Sequence, residues 1–196
     1  MAKIKICGLK IKEDVECVNL AKPDYAGFVF AGTKRKIDFK TAAKLRSLLN
    51  KDIKSVGVFV NEFMANIVSL CKDAAVDLVQ LHGDEDENYI GALRQKIDNK
   101  IIKAVRVVDS LNFKLPLNAD FVLFDSDAGS GKTFDWKLIP KTDKPFFLAG
   151  GLNKDNMEEA LKLKPYCVDL SSGVETGGQK DFDKITEIVK MARRAQ

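Results

Sequence analysis

The sequence lacks the residue patterns that mark metal centres, disulfide scaffolds and membrane spans. Its single histidine and its four cysteines, at positions 7, 17, 71 and 167, form no CxxC pair and no cluster of zinc-binding spacing. The longest uncharged apolar run, from Tyr25 to Gly32, is too short to cross a bilayer. Lysines interrupt the N-terminal segment MAKIKICGLK, where a signal peptide needs a continuous apolar stretch. We therefore expect a cytoplasmic protein with reduced thiols, no metal ion and no membrane partner.

An excess of one charge sign is also missing. The chain has 32 Lys and Arg against 28 Asp and Glu, which gives a net charge of +4 with the histidine neutral. The basic clusters, Lys34-Arg35-Lys36 and Arg193-Arg194, are short, and acidic residues are interleaved nearly everywhere else, so we expect no nucleic-acid partner. The 196 residues, 45% of them hydrophobic, are enough for one globular domain that spans 1–196.

What the sequence does contain is a repeat of apolar runs rich in Val, Ile and Phe. Eight such runs are candidate strands: Ile4–Cys7, Tyr25–Phe30, Ile53–Val60, Val76–Leu81, Ile101–Val105, Ala119–Phe124, Pro145–Ala149 and Tyr166–Leu170. Segments with apolar residues at helical spacing, such as 37–50, separate most of them. This alternation predicts a parallel sheet with helices outside it, and eight repeats favour closure into a compact α/β fold, the (β/α)₈ TIM barrel. An open, doubly wound sheet is the alternative, although it normally has about five or six strands.

Two of the predicted helices are short. The segments Asp109–Pro116 and Asp135–Pro140 offer little more than a turn or two, so we expect the fifth and sixth helices to be short or degenerate. Elsewhere, Asn153 and Asp181 stand where an N-cap would begin the last two helices.

The end of the first strand carries a candidate reactive thiol. Lys3, Lys5 and Cys7 alternate onto one face, and a face with two lysines does not suit the apolar layer between barrel and helices. We therefore expect Cys7 to point into the barrel. A neighbouring ammonium group lowers the pKa of a thiol, and we expect this for Cys7. The alternative is that Cys7 is simply a small buried hydrophobic residue. We adopt that interpretation for Cys17, Cys71 and Cys167.

Strands four and six also end in polar residues. Leu78, Gln80 and His82 share one face of strand four, Val79 and Leu81 face the helices, and Gln80 and His82 stand at the end of the strand. Asp125 directly follows four apolar residues, and burial there favours the protonated form of a carboxyl group, which suits a general acid. The alternative for His82 is a purely structural role. The alternative for Asp125 is a loop residue or a helix cap.

Three glycine-bearing turns follow strands six, seven and eight. They read GSGKT at 129–133, AGGLN at 149–153 and SSGVE at 171–175. Glycine lets backbone N–H groups approach a phosphate closely, and the loops after strands seven and eight commonly form the phosphate site of a TIM barrel. A P-loop is the competing interpretation of 131–133, but position 126 is Ser where that pattern needs Gly, and only a short helix can follow.

A set of stretches, in order along strands one to four and six to eight, carries a family resemblance. They are Lys5-Ile-Cys-Gly8, Gly27-Phe-Val-Phe30 with Arg35, Val56-Gly-Val-Phe-Val-Asn61, Val79-Gln-Leu-His-Gly83, Asp125, Gly129-Ser-Gly-Lys-Thr-Phe-Asp-Trp136, Gly150-Gly-Leu-Asn153, and Val168-Asp-Leu-Ser-Ser-Gly-Val-Glu175 with Lys180-Asp181. Together they cover essentially the whole chain, and they resemble the phosphoribosylanthranilate isomerase family of tryptophan biosynthesis.

The resemblance implies a barrel enzyme that performs an Amadori rearrangement without metal or cofactor. Its substrate would be a small phosphosugar, the aminoaldose N-(5-phosphoribosyl)anthranilate, and its product the aminoketose 1-(2-carboxyphenylamino)-1-deoxyribulose 5-phosphate. Asp125 would be the general acid that protonates the furanose ring oxygen, so that a Schiff base forms. Cys7 would be the general base that takes the proton from the sugar C2.

The resemblance also implies the binding residues. Arg35 would pair with the anthranilate carboxylate, and Asp169 would face the amino nitrogen of the substrate. Gln80 and His82 would belong to the substrate site without an assigned step. The phosphate would be held by backbone turns at Gly129, Ser130, Gly131, Lys132, Gly150, Gly151, Ser172 and Gly173.

For the assembly, we expect a monomer or a homodimer. Three other functions are alternatives to this one. A histidine-pathway Amadori isomerase would have aspartates at the ends of strands one and five, where this sequence has Cys7 and Val105-Arg106. Indole-glycerol-phosphate synthase is another phosphosugar barrel. A non-enzymatic phosphate-binding barrel would lack Cys7 or Asp125, and both are present.

Overall fold

Eight parallel strands close into a barrel in chain order. The strands, β1 to β8, span Lys3–Cys7, Tyr25–Val29, Lys54–Phe59, Leu78–Leu81, Lys100–Arg106, Phe121–Asp125, Phe146–Leu148 and Cys167–Leu170. A computed structural model describes residues 1–32, 34–73, 75–107, 115–126 and 133–194. Strand β1 pairs with β2 on one side and with β8 on the other, which closes the sheet. The predicted TIM barrel is confirmed, and the open sheet is excluded.

Helices cover the outside of the barrel. The α-helices, α1 to α6, span Lys12–Ala21, Phe39–Leu48, Met64–Lys72, Glu87–Arg94, Met157–Lys162 and Phe182–Arg194. The sixth repeat has only a 3₁₀ helix, Trp136–Leu138, which confirms the short sixth helix. Most of the predicted short fifth helix lies outside the described residues, and 115–120 contains no helix.

The loop after β8 contains elements that the apolar pattern does not predict. A second 3₁₀ helix, Ser172–Val174, leads into two short antiparallel strands, β9 (Glu175–Thr176) and β10 (Gln179–Lys180). The two residues between them, Gly177 and Gly178, have φ angles of 61° and 80°, as a tight two-residue hairpin turn requires.

One of the two predicted N-caps is confirmed and the other is wrong. Asp181 accepts hydrogen bonds at Oδ1 from the backbone N–H groups of Asp183 and Lys184, at 3.0 and 3.1 Å, and thereby begins α6. Helix α5 begins only at Met157, because residues 153–156 form a turn in which the Asn153 N–H donates to Asn156 Oδ1. Asn156 in turn donates to the Gly151 carbonyl, so this turn is built on the preceding loop and not on the helix.

The core has two parts, one inside the barrel and one between the strands and the helices. The side chains that fill the barrel interior form one cluster: Tyr25, Val56, Leu78, Ile102, Phe121, Leu123, Phe147, Ala149 and Cys167. Val79 and Leu81 pack instead in the outer layer, so the predicted alternation along β4 is confirmed. Because interior positions alternate, Gln80 also points into the barrel, where it is 1% exposed.

Aromatic rings close the amino end of the barrel. The hydroxyl groups of Tyr25 and Tyr166 lie 3.0 Å apart, and the Phe147 ring centroid lies 5.7 Å from each of these two rings. Lys3 Nζ lies 5.6 Å from the centroids of both tyrosines, a cation–π distance. This packing leaves the carboxyl ends of the strands as the open end of the barrel.

Three further features concern membrane spans, metal sites and disulfide bonds. No helix in the described part of the chain is long and apolar enough to span a membrane. Within the same residues, no three His, Cys, Asp or Glu side chains form a group that could hold a metal ion. All four cysteines are free thiols.

Candidate active site

A cavity of about 420 Å³ opens at the carboxyl ends of the strands. This is the end at which TIM-barrel enzymes carry their active sites. The predicted site residues that line the cavity are Cys7, Arg35, Gln80, His82, Asp125, Gly150, Gly151, Asp169 and Ser172. Gly173 is not part of the lining, and 129–132 lies outside the described residues. Side chains from the first, second, fourth, sixth and eighth repeats are therefore brought to one cavity.

Cys7 ends β1 beside a buried ion pair. Two residues earlier on the same face, Lys5 is fully buried, and its Nζ lies 2.7 Å from Asp169 Oδ2. Burial opposes the charge of Lys5, but Asp169 and Cys7 together raise its pKa above the ordinary value, so Lys5 stays an ammonium group. On β2, Gly27 makes room for the thiol, because a Cβ there would lie 2.7 Å from Cys7 Sγ.

The expected lowering of the Cys7 pKa is wrong. Burial raises the pKa of the Cys7 thiol above its ordinary value, and the opposing effects of Lys5 and Lys180 do not outweigh it. The nearby Asp169 carboxylate acts in the same direction as burial. The resting form of Cys7 at neutral pH is therefore the thiol.

Asp125 ends β6 at the cavity wall, within a short chain of hydrogen bonds. Its Oδ2 lies 3.2 Å from His82 Nε2, and His82 Nδ1 lies 2.8 Å from Gln80 Nε2. Its Oδ1 accepts a hydrogen bond of 2.8 Å from the Ser126 backbone N–H. Gly150 lets the next loop pass close to this carboxyl group, because a Cβ there would lie 2.9 Å from Oδ1. His82 and the Ser126 N–H thus hold the two oxygens of the Asp125 carboxyl group, and Gln80 holds His82.

Arg35 is held by a carboxylate from the hairpin after β8. Its Nε and Nη2 donate to Glu175 Oε1 and Oε2, both at 2.8 Å, and Lys180 Nζ donates to the same Oε1 at 2.7 Å. Burial works against the negative charge of Glu175, but the hydrogen bonds from Arg35 and Lys180 prevail and lower its pKa to about 2. Gly8, with a φ of 86°, is needed beside this pair, because any Cβ there would overlap Arg35 Cδ.

Two consecutive glycines form the cavity wall after β7. Gly150 and Gly151 have φ angles of 88° and 63°, in the region that favours glycine, and both lie in the cavity lining. Ser172 joins them from the loop after β8. Gly173, beside it, packs against the Leu152 carbonyl so closely that a Cβ would overlap that oxygen. Gly173 therefore fixes the contact between the two loops.

Sequence reasoning missed the partners of the site residues. Asp169 pairs with Lys5 and Glu175 pairs with Arg35, and both pairings join distant parts of the chain. Lys180 donates to the same Glu175 carboxylate. The available signal was the Gly177-Gly178 pair, which predicts a hairpin and so a cross-strand pair between Glu175 and Lys180.

The closed barrel and the polar cavity at its carboxyl end define a class, the (β/α)₈-barrel enzymes. Within it, the chain belongs to the N-(5'-phosphoribosyl)anthranilate isomerase family, whose sequence model matches residues 4–191.

Proteins that carry the name of this family match the chain along nearly their whole length. An N-(5'-phosphoribosyl)anthranilate isomerase from Endomicrobium trichonymphae is 62% identical, with 98% of this chain and 99% of the relative covered. The crystal structure of monomers generated from the dimeric enzyme of Thermotoga maritima superposes with a TM-score of 0.87 at 36% identity, over 99% of this chain and 100% of that one.

A solved complex is also similar. It contains a phosphoribosyl anthranilate isomerase with reduced 1-(O-carboxyphenylamino)-1-deoxyribulose 5-phosphate. This structure has a TM-score of 0.82 and 32% identity to the present chain, over 99% of this chain and 100% of that one. The family assignment and the fold therefore agree in sequence and in structure.

Proposed function

We propose that the chain catalyses the Amadori rearrangement of N-(5-phosphoribosyl)anthranilate to 1-(2-carboxyphenylamino)-1-deoxyribulose 5-phosphate in tryptophan biosynthesis. The observation that carries this proposal is the family match over residues 4–191. The convergence of Cys7 and Asp125 on one cavity supports it, because the reaction needs an acid and a base on the same substrate.

Asp125 is the general acid in this proposal. It donates its proton to the furanose ring oxygen while the bond from that oxygen to C1 breaks and the Schiff base forms. The hydrogen bonds at both carboxyl oxygens support this role, because they stabilise the carboxylate that remains after the proton has left. The same donors fix the direction in which the carboxyl group points.

Cys7 is the general base. Its thiolate takes the proton from C2 of the sugar, the C2–H electron pair forms the C1–C2 double bond, and the electrons of the Schiff base return to nitrogen. The resulting enolamine then becomes the aminoketose by proton transfer, so atoms and electrons balance without an oxidant or a cofactor. The positive charge of Lys5 beside Cys7 supports the role, because it favours the thiolate against the effect of burial.

Asp169 faces the amino nitrogen of the substrate. Its Oδ2 accepts from Lys5, and its Oδ1 is a buried atom without a hydrogen-bond partner among the described residues. A substrate N–H group directed at Oδ1 would satisfy that acceptor. The backbone at Gly150, Gly151 and Ser172 holds the phosphate, together with residues 129–132 from the loop after β6.

Arg35 binds the anthranilate carboxylate. Glu175 uses the Nε and Nη2 side of the guanidinium group, which leaves the Nη1 end for a second carboxylate. A charge-assisted pair of this kind contributes about 1.5–3 kcal/mol. We therefore expect Arg35→Met to raise KM by roughly 10- to 100-fold, measured in steady-state kinetics.

Two neighbouring lysines provide the matched controls for Arg35. Lys34→Met and Lys36→Met should change KM little, because both side chains are exposed and a solvated lysine, even Lys34 at the cavity lining, does not offer a planar pair of donors. Equal and small effects of all three substitutions would indicate one solvated basic patch and would remove Arg35 from the site.

The activity itself is tested by following the fluorescence of phosphoribosylanthranilate with the purified protein. We expect the anthranilate signal of this aminoaldose to decrease with time as it is isomerised, and Asp125→Asn protein to serve as the negative control. A protein that leaves this substrate untouched but converts the aminoaldose of histidine biosynthesis would contradict the proposal.

A further inference from the structure

The carboxyl end of β4 carries a hydrogen-bond chain that leads to Asp125 and begins at a buried residue of the cavity lining. Gln80 is 1% exposed, and its Nε2 lies 2.8 Å from His82 Nδ1. His82 Nε2 lies 3.2 Å from Asp125 Oδ2. The order Gln80, His82, Asp125 therefore links the interior of the barrel to the carboxyl group at the cavity wall.

The direction of the hydrogen bonds follows from the donors and acceptors available. A primary amide nitrogen carries only hydrogens to donate, so with the amide in this orientation His82 Nδ1 is the acceptor. A neutral imidazole that accepts at Nδ1 carries its hydrogen at Nε2, and that hydrogen points at Asp125 Oδ2. His82 is thus a donor to Asp125 because of the way Gln80 faces it.

The other atom of the Gln80 amide agrees with this orientation. Gln80 Oε1 is buried and has no hydrogen-bond partner among the described residues. Exchanging the two amide atoms would leave an unpaired NH₂ group there instead, and buried unpaired N–H groups are rarer in proteins than unpaired carbonyls. Two acidic groups act on His82: Asp125, whose Oδ2 lies 3.2 Å from Nε2, and Asp169, whose carboxyl group interacts with His82 electrostatically.

We propose that Gln80 is a positioning residue that fixes His82 as the tautomer with its hydrogen on Nε2, so that His82 stabilises the carboxylate left on Asp125. This inference rests on the proposed role of Asp125 as the general acid. When Asp125 gives its proton to the ring oxygen, the new negative charge meets two donors, His82 Nε2–H and the Ser126 N–H. His82 keeps its own hydrogen throughout, so it orients and stabilises without taking part in proton exchange.

The tautomer can be measured directly, because His82 is the only histidine in the chain. A long-range ¹H–¹⁵N correlation spectrum of protein labelled with ¹⁵N-histidine contains one imidazole, and its two nitrogen shifts identify which nitrogen carries the hydrogen. We expect the hydrogen on Nε2 in the wild-type protein without substrate. A wild-type spectrum with the hydrogen on Nδ1 overturns the proposal.

Two substitutions of nearly equal size test the role of Gln80. In Gln80→Glu the facing group can only accept, so we expect hydrogen to appear on Nδ1. In Gln80→Met the facing group neither donates nor accepts, so we expect a mixture of tautomers. In metal sites, groups that orient a ligating histidine through its second nitrogen typically contribute about 10- to 100-fold. By analogy, we expect kcat to fall by roughly that range while KM changes less than about threefold.

A matched control makes the same chemical change on the surface. Gln95, at the end of α4, is exposed, so Gln95→Glu should leave both the His82 spectrum and kcat unchanged. An unchanged tautomer and an unchanged kcat in Gln80→Glu would overturn the proposal. Because the spectrum is recorded without substrate, its result stands apart from the isomerase assay: a protein with the expected tautomer but no turnover would contradict the proposed function instead.

Discussion

Replacing Asp125 by Asn is expected to lower kcat by at least about 10²-fold, the scale of a lost general acid, while KM changes far less. Asn has nearly the same shape, and its carbonyl oxygen can still accept from one of the two donors, His82 Nε2 or the Ser126 N–H, while its NH₂ group replaces the oxygen that faces the other donor. What the amide cannot do is release a proton to the ring oxygen. Steady-state kinetics with phosphoribosylanthranilate would separate the loss in kcat from any change in KM.

The control for this substitution is Asp52→Asn, which removes an exposed carboxylate at the opposite end of the barrel, just before β3. Its kinetic constants should match those of the wild type. If Asp125→Asn kept near wild-type turnover, the acid of the reaction would have to be another group.

Replacing Cys7 by Ala is expected to have an effect of similar size, again at least about 10²-fold in kcat, together with a changed pH profile. Burial raises the pKa of the Cys7 thiol, so the thiolate is the minor form at neutral pH and its fraction increases as the pH rises. If the thiolate is the base and the removal of the C2 proton limits turnover, wild-type kcat should therefore climb with pH into the alkaline range. The residual activity of Cys7→Ala should not show this climb.

Cys71 offers a matched control, because it is a half-buried thiol on α3 that lies outside the cavity lining and whose pKa burial raises to about 11. Cys71→Ala should keep the wild-type kcat and the same alkaline rise. If the activity of Cys7→Ala still rose with pH, the alkaline rise, and with it the role of the base, would belong to a different residue.

Much of the fold could be predicted because its signals are local. Eight runs of β-branched and aromatic residues mark the eight strands, and all are present to within a few residues. The alternation of Leu78, Gln80 and His82 also correctly predicts that this face of β4 lies inside the barrel. Where the local signal was equivocal, the prediction failed: Asn153 and Asn156 are both capable N-caps, and the turn built on Gly151 decided between them.

The site was less predictable, because its properties depend on depth and on distant partners. The sequence places Lys5 two residues from Cys7 and so suggests a lowered thiol pKa, but it does not reveal how strongly burial acts on that thiol. The contact between Arg35 and Glu175 joins residues 140 positions apart, and no local pattern records it. Such pairings become visible only once the strands that carry them have been brought around the barrel.

The aromatic end of the barrel has a consequence for how this protein can change over evolution. Tyr25 begins β2 and Val29, which lines the cavity, ends it, so the two ends lie about 13 Å apart at the usual rise along a strand. Substitutions separated by more than about 7–10 Å usually have additive effects on stability. Better packing around Tyr25, Tyr166 and Phe147 can therefore compensate for destabilising substitutions at the cavity without disturbing the acid and the base. Stabilising substitutions at the amino end are therefore expected to offset the cost of alterations at the substrate end.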